Sequence, residues 1–186
     1  MKLFIKNMID LHSLLLVEKE LVKLGLRPVE ISMGEAAVQE DLNLPQRLQL
    51  RLALRQSGLE LLENKTDILV HRVKYTIMDI VYGDKVPTQN LSVFLSSTLD
   101  YDYTYISNLF SVATNITIEK YYICHKMERV KQLLLYEDLT LTEIADKMHY
   151  SSVSHLSSQF KKITGSTPSH FRNVHRNSRH VPVHCG

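Results

Sequence analysis

Ser151, Ser152, Ser154, His155 and Ser158 form a cluster of small polar side chains at the start of a helical pattern, and Lys161 and Lys162 close it. Val153, Leu156, Phe160 and Ile163 recur at helical spacing, so burying those four would leave the polar set exposed. Short donors and acceptors at a helix N-terminus suit a groove about 12 Å wide in which every base pair displays its own hydrogen-bonding groups. Two lysines further along suit phosphates. The chemistry is therefore recognition rather than catalysis. There is no Gly-rich phosphate loop, no Gly-x-Ser-x-Gly elbow and no His-Glu-x-x-His, and the nine histidines are scattered. Cys124 and His125 are neighbours inside a helical pattern and point about 100° apart. We read no enzyme and no cofactor here.

A partner helix has to hold that cluster. Thr140 or Thr142 caps a short helix with Ile144, Ala145 and Met148 on one face and Glu143 in its first turn, ending near His149. Tyr150, Ser151 and Ser152 form the turn, so Leu139 to Arg172 reads as a helix-turn-helix. The organisation repeats upstream. Asn90 or Ser92 opens a helix with Leu91, Phe94, Leu95 and Leu99, a turn falls at Asp100-Tyr101, and a helix runs from Asp102 to about Val112 with Ile106, Leu109 and Phe110 inward. Asp102, Tyr103, Thr104, Tyr105 and Asn108 hold its exposed positions; an Asn amide pairs with adenine and a Tyr reaches phosphate. Between the two motifs Ile118 to Tyr136 is one helix, roughly 30 Å long at ~1.5 Å per residue. One turn of duplex is about 34 Å.

The second motif resembles that of the AraC-type family of bacterial transcription regulators. The matching residues, in order, are Ile144-Ala145, Tyr150-Ser151, Phe160-Lys161-Lys162, Gly165, Thr167-Pro168-Ser169 and Phe171. Leu109-Phe110 matches the pair that ends the family's first motif, and Lys126 a basic residue in the helix between. The departures are His149 and Asn115, where the family has Gly, and Leu156, where Phe is common. The resemblance implies a sequence-specific regulator that reads two successive major grooves of double-stranded DNA. Tyr103, Thr104 and Asn108 would read bases in the first unit, and Ser151, Ser152, Val153, Ser154 and Ser158 in the second. Lys126, Thr140, Lys161 and Lys162 would anchor phosphates.

Residues 1–65 are patterned differently. Met1 to Met8 alternates as a strand, a helix runs from Asp10 or His12 to Leu24, and strands follow over Arg27 to Met33 and Ala36 to Leu42. A helix with Pro45 at its first position runs to Ser57, and Leu59 to Leu62 makes a fourth strand. The order β-α-β-β-α-β is the ferredoxin-like split unit. It resembles the heavy-metal-associated domain, with Met8, Asp10 and Ser13 at the positions of the metal loop, but both cysteines of its Cys-x-x-Cys motif are absent. Asp10 and His12 are the weak metal candidates that remain; the preferred reading makes Asp10 an N-cap and His12 a solvated residue. Arg47, Arg51 and Arg55 form a basic row. Thr66 to Tyr82 reads as a helix joining the halves, with His71 at its surface and its apolar face turned to the first helix-turn-helix.

The expected chain is thus α+β. Residues 1–65 form the ferredoxin-like domain, 66–88 the connecting helix and linker, 89–172 the two helix-turn-helix units, and 173–186, with His175, His180, His184 and Cys185, a flexible tail. An apolar fraction of 44% suits an ordinary core, and a net charge of +2 is no argument for nucleic acid by itself. Two distant cysteines fit no disulfide framework, and no apolar run of about 18 residues is present, so a cytoplasmic protein is expected. The front domain would be a degenerate sensor or a surface for a protein partner or a second copy. A competing reading makes the chain a metal-handling or protein adaptor module without specific DNA binding.

Overall fold

The computed structural model describes residues 1–83 and 89–176. The chain divides into two compact units, one taking in Met1–Thr76 with Gln89–Leu109 and the other Ile77–Thr88 with Phe110–Gly186.

The front of the first unit runs β1 (Lys2–Lys6), α1 (Leu11–Lys23), β2 (Pro28–Ser32), β3 (Glu35–Val38), α2 (Leu44–Gln56) and β4 (Glu60–Leu62). Its four strands form one sheet in the order β2-β3-β1-β4, with every neighbouring pair antiparallel. Leu3 sits opposite Ala36 and Ile5 opposite Leu61. Their inward side chains meet Val17 and Leu21 of α1 and Leu50 and Leu54 of α2 in one buried core. The strand expected over Ala36 to Leu42 stops at Val38, although Leu42 is buried. Alternation of apolar residues reports burial, and burial continues past the last ladder bond.

Both helices start on a reciprocal cap. Asp10 Oδ1 accepts from the Ser13 amide at 2.8 Å while the Asp10 amide donates to Ser13 Oγ, and Asn43 and Gln46 do the same for α2. That cap, led by the Ser13 amide, holds the Asp10 carboxyl below its ordinary range. Asp10 is thus the N-cap of the preferred reading. Asp10 and Ser13 are committed to the helix start, His12 is exposed, Met8 is fully buried, and among the described residues no three His, Cys, Asp or Glu side chains converge.

Helix α3 (Lys65–Tyr82) differs from expectation in what it covers. His71 is buried rather than on the surface, with Nε2 3.1 Å from the Gly34 carbonyl oxygen, and burial lowers its pKa. One turn on, the Tyr75 hydroxyl donates to the Met8 carbonyl. This part of α3 therefore lies on the β2–β3 turn and the loop after β1. At the other end, Tyr82 meets residues of the second unit, the His125 ring at 6.3 Å and the Arg129 guanidinium at 6.0 Å.

The helical half comprises α4 (Leu91–Leu99), α5 (Tyr103–Thr114), α6 (Ile118–Tyr136), α7 (Leu141–Lys147), α8 (Val153–Thr164) and α9 (Pro168–Arg176). Within the second unit α6 packs against α7, α8 and α9. Two expectations are corrected. Ile163 is 45% exposed, because Leu156 and Phe160 already fill the inward face of α8. The tail expected from 173 is helical through Arg176, where the His175 ring stacks on Phe171 and its Nδ1 lies 2.9 Å from the Phe171 carbonyl oxygen. His180, His184 and Cys185 fall outside the described residues.

Gly34 and Gly25 both adopt positive φ, +81° and +73°, but a Cβ on Gly34 would come within 2.5 Å of the Tyr75 ring whereas one on Gly25 meets nothing within 4 Å. Gly25→Ala should cost only the left-handed penalty of about 1 kcal/mol. Gly34→Ala should cost about 3 kcal/mol, because α3 must also give way. Equal urea midpoints for the two variants would mean that α3 is not seated on the turn.

Candidate nucleic-acid interface

The helical half is built twice at a step of 50 residues. Phe110 of α5 and Phe160 of α8 are each fully buried, as are Ile106 and Leu156 one turn earlier. The Phe110 ring meets Tyr121 edge-on at 5.5 Å, and the Phe160 ring meets Phe171 edge-on at 5.5 Å. Tyr121 and Phe171 in turn lie 4.4 and 4.2 Å from the rings of His125 and His175. Helices α5 and α8 end alike: the Thr114 hydroxyl donates back to the Phe110 carbonyl at 2.7 Å and Thr164 to Phe160 at 2.8 Å. A left-handed residue follows in both, Asn115 at φ 59° and Gly165 at φ 81°. Then Thr117 caps α6 through the Lys120 amide, and Thr167 accepts from the His170 amide.

Inward faces occupied in this way leave the outer faces clear. Thr104 and Asn108 are exposed on α5, with Tyr103 half-buried between them and the core. Ser151 and Ser152 ahead of α8 and Ser154, Ser158, Lys161 and Lys162 on it are exposed, and Val153 is half-buried. Some of these side chains also hold the backbone. Ser152 Oγ accepts from the His155 amide as the N-cap of α8, and Ser151 Oγ lies 3.2 Å from His155 Nδ1. Thr140 is the N-cap of α7, and its hydroxyl and Glu143 cap each other. The turn into α8 passes through His149 at φ 53°, a non-glycine residue in the left-handed region. The Arg172 guanidinium donates to the Leu139 carbonyl at 2.6 Å and ties the two ends of the motif together.

Lys126 departs from its expected place. Instead of a solvated cation it is 9% exposed, with its ammonium 4.1 Å from the centre of the Tyr150 ring and 5.4 Å from that of Tyr122. Tyr150 closes the turn before α8 and donates its hydroxyl to Gln159 Oε1, while its ring meets His155 edge-on at 5.2 Å. Lys126 therefore packs behind α8, through Tyr150. Its contact with the Tyr150 face was not legible from sequence, because it joins residues 24 positions apart. Burial lowers its pKa to about 8.

Charge is divided unequally between the repeats. From Gln89 to Glu119 there is neither Lys nor Arg, and Asp100, Asp102 and Glu119 are acidic. Lys161 and Lys162 stand where the first repeat has Ser111 and Val112.

Residues 95–173 match the model of a helix-turn-helix domain. The match takes in both repeats. The Msm operon regulatory protein of Streptococcus mutans serotype c (strain ATCC 700610 / UA159) is 28% identical over 122 residues, which are 66% of this chain and 42% of that protein. This chain thus spans less than half the length of that relative. The C-terminal domain of AraT, a response regulator from Geobacillus stearothermophilus, is similar at TM-score 0.53 and 22% identity, over 65% of this chain and 97% of that one. A transcriptional regulator from Chromobacterium violaceum, described as one of the AraC-type DNA-binding domain-containing proteins, is similar at TM-score 0.51 and 18% identity, over 63% of this chain and 100% of that one. At these identities the two structures share the fold. Among the described residues no helix is long and apolar enough to cross a membrane.

A lysine depressed to about 8 burdens the folded state while it carries its charge. Between that value and the ordinary lysine range, the unfolded chain holds a proton that the folded chain has released, so stability rises with pH there. Lys126→Met should raise the urea midpoint at pH 7, and this advantage should shrink as pH rises through 8 towards 10.5. An advantage that stays constant over that range would place the ammonium in water, and one that grows would mean that the folded state holds the charge more tightly than water does.

Proposed function

We propose that the helical half is a sequence-specific reader of double-stranded DNA in an AraC-type transcription regulator, with its two repeats engaging successive major grooves. The observation that carries this reading is the repeat itself. Two helices with the same buried anchor, the same end and a clear outer face suit two insertions into one duplex. Helix α6, which separates them in sequence, has 19 residues, about 28 Å of rise against a duplex turn of about 34 Å. Any shortfall would be met by tilt or by bending the DNA, at a few kcal/mol. The names of the similar proteins, an operon regulator and an AraC-type DNA-binding domain, support the same conclusion.

In this reading Tyr103, Thr104 and Asn108 contact base edges and backbone in one groove, and Ser151, Ser152, Val153, Ser154 and Ser158 do so in the next. Lys161 and Lys162 neutralise phosphates, and Thr140 lies at the helix N-terminus nearest the backbone. Lys126 acts from behind. The front residues 1–65 are a ferredoxin-like domain, a reading supported by the sheet order β2-β3-β1-β4, and serve as a degenerate sensor or interaction module in place of a metal carrier. Residues 66–88 connect it to the reader at 89–172.

Replacing both Lys161 and Lys162 by Gln should weaken binding to every duplex and reduce the slope of log K against log salt by roughly 2. An unchanged slope removes them from the interface. Asn108→Ala falls in the segment from Gln89 to Glu119 that has neither Lys nor Arg. It should relax preference at one base pair by about 1–3 kcal/mol if the amide contact is bidentate, and leave the salt slope as it was. Equal loss on all sequences would count against a base contact.

A further inference from the structure

The sheet core of the front unit takes one face of α1 and one face of α2, and the opposite faces are not polar. Leu11, Leu15 and Val22 on α1 and Leu44, Leu48 and Leu52 on α2 are 53 to 84% exposed. On α1 they fall with Glu18 at steps of four, three and four residues. On α2 they fall with Arg55 at steps of four, four and three, so each helix carries a continuous outer stripe. Scattered apolar residues on a surface need no explanation, but two adjoining stripes do.

We propose that this face is a dimer interface between two copies of the chain, with α1 of each copy lying on α2 of the other. Charge favours a second copy over an unrelated partner. The α1 stripe has one acid among its apolar residues and the α2 stripe ends in a base. Arg47 and Arg51 are engaged with Glu63 at the side. Gln46 Nε2 donates to the Leu24 carbonyl at 3.0 Å, which brings the start of α2 to the end of α1 and so sets the helices antiparallel. Counting six residues back from Leu24 and six forward from Gln46 puts Glu18 level with Leu52, one turn from Arg55. A two-fold axis running between the helices and parallel to them lays α1 on the partner copy's α2 at the same level. Glu18 then meets a guanidinium twice, once on each side of the axis.

The patch also sets the strength. Two 13-residue helices, each about 20 Å long and about 10 Å wide, cover on the order of 400 Å² in projection. That is the low end of specific interfaces, so the dimer should dissociate in the micromolar range rather than be obligate. This inference stands apart from the reading of the helical half and uses none of its residues.

Sedimentation equilibrium of the full chain over a concentration series tests it. The wild type should pass from monomer to dimer. Leu15→Glu with Leu48→Glu should hold it monomeric with unchanged circular dichroism and urea midpoint, since both side chains are exposed. Glu18→Arg alone and Arg55→Glu alone should each weaken the dimer about tenfold, and the two together should restore it to within about threefold of the wild type. A chain that stays monomeric at every concentration overturns the proposal. So does a dimer that survives the two Leu→Glu changes, or a charge swap that restores nothing.

Discussion

A helix can present a clean reading face only if its other face is filled without demanding anything of the first. In this chain Phe110 and Phe160 meet that constraint. Each is fully buried, each has a second ring set edge-on against it at 5.5 Å, and each lies one turn after a buried aliphatic, Ile106 or Leu156. The threonine four residues on turns its hydroxyl back to the phenylalanine carbonyl and lets the helix end without a frayed turn. With the inward face complete, Thr104 and Asn108, or Ser154 and Ser158, carry no packing duty. The site is the remainder that this packing leaves exposed.

The two copies have kept the scaffold and diverged on the surface. From Ile106 to His125 and from Leu156 to His175 the packing residues recur in kind, while positions facing out run from tyrosine and asparagine in the first repeat to serine and lysine in the second. In the proposed reading, electrostatic attraction to DNA would fall on the second repeat, and the first would contribute contacts that salt does not screen. Lys126 adds to this division in an unexpected way. Its ammonium lies against the faces of Tyr150 and Tyr122, behind the turn leading into α8, and the exposed cations on α8 itself are Lys161 and Lys162.

Local patterns were legible and distant pairings were not. The bounds of α6 follow from spacing, residue type narrows each cap to two candidates of which Asp10, Asn90 and Thr140 hold the position, and the left-handed residue at Asn115 follows from the resemblance. The sheet order could be inferred because a β-α-β-β-α-β sequence has few ways to close. His71 shows where this kind of reading stops. Nothing near it in sequence announces Gly34, 37 residues away, as its partner, and a histidine in an amphipathic helix reads as a surface residue until the turn is set against it. The strand expected beyond Val38 and the exposed Ile163 fail for a related reason, since apolar spacing records a tendency to be covered without naming the cover.

The central claim is that one chain engages one duplex at two points a helical turn apart. Hydroxyl-radical footprinting of the full chain on its selected duplex measures that directly. Two protected clusters on each strand, centred about 10 base pairs apart and on the same side of the duplex, are the expected result. A single cluster confined to one groove would contradict the account.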